Sequence, residues 1–154
     1  MPTIEGEIPT ACVTQPDTDD FDAILALHGL GREFQQAIGV HTANNPAAVM
    51  AQITKEEESR VLDLTISLCT LGTKPDLTSD DIKKQEVLLG TQLHCMTMQT
   101  GERYLENINV PFQTVADSIK IDVSDKVAVE KNIAICEKYG LTPLARVLKH
   151  KLDH

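Results

Sequence analysis

Aliphatic residues recur at intervals of three and four along most of this chain, and that period restricts what it can fold into. A helix of 3.6 residues per turn gathers such positions on one face, which must then be buried against another element. Val61, Leu64, Leu68 and Leu71 form one stripe, and Ile82, Leu89, Leu93 and Met96 a second. Val127, Val129, Ile133 and Cys136 follow, then Leu144, Val147, Leu148 and Leu152. Residues 119–123, Ile-Lys-Ile-Asp-Val, alternate as a strand would, but no second strand is in sight and they read as extended linker. With no Trp, two Tyr and three Phe in 154 residues, the core has to be aliphatic. That length suits one domain, large enough to bury a core without a metal or disulfide staple. The expected fold is all-α: a bundle of about five helices, two or three long and two short C-terminal ones. A flexible acidic arm over 1–19 precedes a single helical domain over 20–154.

Local signals set the expected boundaries. Asp19 and Asp20 suit the positive start of a helix. There Phe21, Ile24, Leu25 and His28 make one stripe, and Leu27, Leu30, Phe34, Ala37 and Ile38 a shifted one. The shift falls at Gly29 and Gly31, which predicts a kink, since each costs about 1 kcal/mol against Ala inside a helix. Asn44-Asn45-Pro46 is read as the start of a helix reaching Leu71, with 55–60 on its solvated side and Gly72 and Pro75 as its stop. Thr78 and Asp81 form a capping box, with Leu77 positioned to staple onto Ile82. Gly90 and Gly101 inside that helix either admit a close neighbour or mark a break. Ser124 is taken as the cap of the next helix. Gly140 supplies a left-handed end with Leu141 folding back on Cys136, and Thr142-Pro143 starts the last helix.

Charge narrows the partners. The net charge is −9, and residues 1–27 hold six acids and no base. Few bases and few aromatics argue against a nucleic-acid binder, which needs Lys and Arg on phosphates and rings for stacking. No apolar run approaches the roughly 20 residues of a membrane span. The start, MPTIEGEIPTACV, lacks the basic and apolar regions of a secretory signal, so a cytoplasmic location is expected. The widely spaced Cys12, Cys69, Cys95 and Cys136 are then expected as free thiols in a reducing compartment.

Catalytic patterns are thin. His150 and His154 share a helix face but have no third ligand, and no Glu-x-x-His of a di-iron bundle occurs. His94 and Cys95 are neighbours that diverge by about 100° on a helix, so a nucleophile pair would need His28 or His41 across the bundle. Gly29-Leu30-Gly31 lacks the further glycines and the strand of a phosphate loop. Glu56, Glu57 and Glu58 spread around a helix surface. No metal, cofactor or small-molecule substrate is called for.

What remains is charge at the two ends of the chain. Asp17, Asp19, Asp20 and Asp22 make an acidic stretch, and Arg146, Lys149 and Lys151 a basic face. These seven are the candidate partner-binding residues, the arm docking on a basic patch of its own chain or of a second copy. The expected function is a non-enzymatic intracellular protein–protein interaction module: an adaptor, regulator or assembly subunit binding a protein or itself. One alternative is an acidic inhibitor or immunity-type protein neutralising a basic partner through Asp17–Asp22 and Glu56–Glu58. Another is a small enzyme or redox sensor using Cys95 or Cys12.

Overall fold

The computed structural model describes residues 16–43, 47 and 51–153. They form six α-helices and no strand: α1 (Thr18–Thr42), α2 (Lys55–Thr70), α3 (Ser79–Asn107), α4 (Phe112–Ser118), α5 (Lys126–Lys138) and α6 (Thr142–Asp153). The all-α bundle stands. Most of the arm expected over 1–19 lies outside the described residues, but Thr18 and Asp19 already belong to α1, so the boundary at residue 19 is corrected.

Helix α1 runs without a break through Gly29 and Gly31. The kink expected there does not occur because tertiary packing outweighs the glycine cost. A Cβ on Gly31 would lie 3.1 Å from His94 Cβ, so the bare backbone is what lets α3 come close. The two expected stripes merge into one buried row: Ile24, Leu27, Gly31, Phe34 and Ile38. Gly101 on α3 is tighter still, since a Cβ there would meet Ile38 Cγ2 at 2.5 Å. Of the two readings of Gly90 and Gly101, close approach holds, and α3 is unbroken.

These contacts share one register. His28 bonds Thr91, 63 residues on. Phe21 with Lys84, Gly31 with His94 and Ile38 with Gly101 keep that same offset. The offset stays constant as both numbers rise, so α1 and α3 lie parallel. Helix α2 is the return limb between them. It starts at Lys55 rather than Pro46, because Thr54 and Glu57 complete a capping box: Glu57 N–H donates to Thr54 Oγ1 at 3.2 Å and Thr54 N–H to Glu57 Oε1 at 3.2 Å. Asn44-Asn45-Pro46 lies outside the described residues. The expected stripe Val61, Leu64, Leu68, Leu71 does pack with Leu77, Ile82, Leu89, Leu93 and Met96 of the α3 limb. The Thr78–Asp81 box also forms, its two bonds at 3.1 and 3.3 Å.

The opposite side of α3 enters the main core. Leu88, Cys95, Met98 and Leu105 meet Ile24, Phe34, Val115, Cys136, Leu144 and Val147 there. Helix α3 ends on Asn109 at φ 63°, with Val110 N–H bonded to Leu105 O at 2.8 Å, the left-handed termination that glycine more often supplies. The chain then forms the short α4, with Phe112, Val115 and Ala116 buried. Residues 119–123 are extended linker, as expected. Asp125, not Ser124, caps α5, accepting from Ala128 N–H at 3.2 Å, while Ser124 donates to Asp122 instead. Gly140 at φ 75° ends α5, and Leu141 N–H returns to Cys136 O at 2.7 Å.

Candidate interaction surface

The expected acidic and basic groups are not brought to each other. Asp17 and Asp20, at the start of α1, close instead on the end of α5. Lys138 Nζ lies 3.0 Å from a carboxylate oxygen of each. Tyr139 donates its hydroxyl to Asp20 at 3.0 Å, and Asp17 N–H reaches the same hydroxyl oxygen at 3.4 Å. Asp20 is 13% exposed, and the Lys138 hydrogen bond holds its carboxyl below the usual range, aided by Tyr139 and against the effect of burial. Lys138 is raised in turn by Asp20 and Asp17. The pairing is oriented well by the fold: acids at a helix start, a base at a helix end. Asp19 and Asp22 are exposed on the first turns of α1.

Each expected base has its own carboxylate. Arg146 pairs with Glu102 and lies over the Phe112 ring, 5.6 Å from its centroid. Lys149 Nζ is 3.2 Å from Glu137. Lys151 is the exception to the outward face: its side chain is mostly covered, with Nζ 4.0 Å from Asp117, which also meets His150 at 3.0 Å. The three bases therefore knit α6 to α3, α5 and α4 rather than standing as a free patch. Glu57, one of three glutamates read as solvated, is mostly covered and paired with Arg103. Against the opposing pull of burial, that bond and the Thr54 contacts hold its carboxyl low. Arg103 also donates to Gln52 O at 3.1 Å.

The candidates for chemistry fare as follows. Burial pushes the thiols of Cys95 and Cys136 up to about 12, so both are protonated and poorly nucleophilic at neutral pH. His28 bonds Thr91 and meets the His94 ring, rather than making the pair with Cys95 that a nucleophile would need. Cys12 and His154 lie outside the described residues. Among the described residues no three His, Cys, Asp or Glu gather as a metal site. A cavity of about 390 Å³ lies between Glu102, Glu106, Phe112 and Arg146; Arg146 pairs there with Glu102 Oε1, while Glu102 Oε2 is buried without a hydrogen-bond partner.

Sequence reasoning passed over the outer face of α2. Leu62 is 58% exposed, Ile66 50%, and Cys69 is an exposed free thiol. Spaced by four and three, they form a second apolar stripe behind the one that packs on α3. The signal was present in the same period, displaced around the helix from the inner stripe. No known family, curated protein or solved structure matches this chain. Among the described residues, no helix is long and apolar enough to cross a membrane.

Proposed function

We propose that this chain is a non-enzymatic protein-interaction module that docks a helical segment of a partner protein, or of a second copy, on the outer face of α2. The observation that carries this reading is the Leu62–Ile66–Cys69 stripe. Elsewhere among the described residues the exposed large hydrophobics, Leu25, Val40, Ile108 and Val127, stand at separate points of the chain, whereas Leu62 and Ile66 lie one turn apart on α2. A stripe with that spacing suits the apolar face of an incoming amphipathic helix. The free thiols at Cys69, Cys95 and Cys136 support work in a reducing, intracellular setting.

The acidic-inhibitor alternative is less favoured, because Asp17 and Asp20 are already paired with Lys138 and Glu57 with Arg103. A Cys95-dependent enzyme is disfavoured by the protonated state of that buried thiol.

A photo-crosslinking residue at position 66, with exposed Glu130 on α5 as the control position, tests the proposal in cells that make the chain. Discrete adducts at 66, lost when Leu62→Glu is added without loss of helicity, are the expected result. The same adducts from both positions, or none from 66, would overturn it. Light scattering at two salt concentrations then tells a second copy from a different protein.

A further inference from the structure

The α1–α3 seam carries two imidazoles that the docking reading does not use. The rings of His28 and His94 meet with centroids 4.7 Å apart and planes tilted by 52°. Each ring rests on a glycine of the facing helix. His28 Cε1 lies 3.1 Å from where a Gly90 Cβ would stand, and His94 Cβ lies as close to that point on Gly31. Thr91 donates its hydroxyl proton to Val87 O at 2.7 Å, which leaves its oxygen to accept from His28 Nδ1 at 3.1 Å. The network therefore assigns the proton of neutral His28 to Nδ1. His94 Nε2 is sealed from water and meets no hydrogen-bond partner.

We propose that this histidine contact is an acid-sensitive latch, in which protonation of either ring loosens α1 from α3. A proton on His94 would give it two N–H donors, one of them Nε2, where neither acceptor nor water is in reach. A proton on His28 would set a cation against the second ring. Arg32, one turn further along α1, adds a like charge to both. Among the described residues no carboxylate from α2, α3, α5 or α6 acts on either ring to offset it. Burial, then these like charges, already holds both imidazoles below their ordinary value near 6.5. The sign follows from that direction. The unfolded chain binds protons first, so the stability from this contact is complete above about pH 6.5 and is lost as the pH falls below it.

Amide hydrogen exchange across α1 in the full chain, at about pH 7.5 and about pH 5.5 and corrected for intrinsic rates, reads the latch directly. The wild type should lose several-fold of its α1 protection over that interval, because the unfolded chain takes up protons that the folded seam resists. The His28→Asn/His94→Gln variant should lose much less. An equal loss in the variant, or none in the wild type, overturns the proposal. Histidine ring NMR titration of the wild type decides the matter if the variant does not fold. Midpoints for His28 and His94 below the ordinary imidazole value of about 6.5 support the latch, and midpoints at or above it sink it.

Discussion

Helix α3 has two sides, and they are held in different ways. Toward α1, α5 and α6 it is buried in a continuous aliphatic core, with glycines letting the α1 backbone come close. Toward α2 it meets a small cluster with Leu64, Leu71, Leu89 and Met96 as its buried members. There polar devices supplement packing: the Thr54 and Thr78 capping boxes, and Arg103 bridging Glu57 and Gln52. The lesson is that an element packed from one side can hold its place by its ends. Its other face is then left exposed.

That contrast can be broken by substitution. Leu144→Ala, at a fully buried site in the main core, should cost about 2–5 kcal/mol and lower the urea midpoint of the whole chain. Leu64→Ala belongs to the smaller cluster and should fall at the low end of that range. Its loss of amide protection should be concentrated in α2, and equal loss in α1 would erase the distinction. Gly101→Ala should cost about 1–3 kcal/mol through crowding of Ile38. Combined with Ile38→Ala it should be strongly non-additive in a double-mutant cycle, whereas additive costs would place the strain elsewhere.

Thr54→Ala should cost about 1 kcal/mol, seen as fraying of α2 with α1 unchanged. The smallest effect is at the Asp20–Lys138 contact, which is largely wet on the lysine side. Asp20 is held low in the fold, so its contribution is complete above about pH 4 and is lost as the pH falls below that. Asp20→Asn should flatten that acid limb in urea midpoints measured against pH. An unchanged limb would assign the acid sensitivity to other carboxylates.

The parts of the fold that were legible in the sequence are those decided within one turn. Thr78 with Asp81, and Gly140 with Leu141, need no distant partner, and both stand where expected. The start of α2 was equally local: Thr54-Lys55-Glu56-Glu57 carries a capping box, but the Asn-Pro signal upstream drew the boundary away from it. The kink at Gly29 and Gly31 failed for the opposite reason. Helix propensity is a preference of about 1 kcal/mol, and Gly31 is judged by His94 on another helix. The same distance hid Lys138 as partner of Asp17, 121 residues away, and the meeting of His28 with His94. On α2, Leu62 and Ile66 share the period of the inner stripe. Only the position of α3 tells which stripe is buried.

The constant offset of 63 residues between α1 and α3 has a consequence for synthesis. Helix α1 is made first, yet its seat on α3 does not exist until the return limb and most of α3 have been translated. At roughly 5–20 residues per second that interval is about 3–13 s. During it Ile24, Leu27, Phe34 and Ile38 have no native surface to cover them. The nascent chain thus carries an aliphatic stripe without its native cover, and seating α1 on α3 closes a loop of 63 residues.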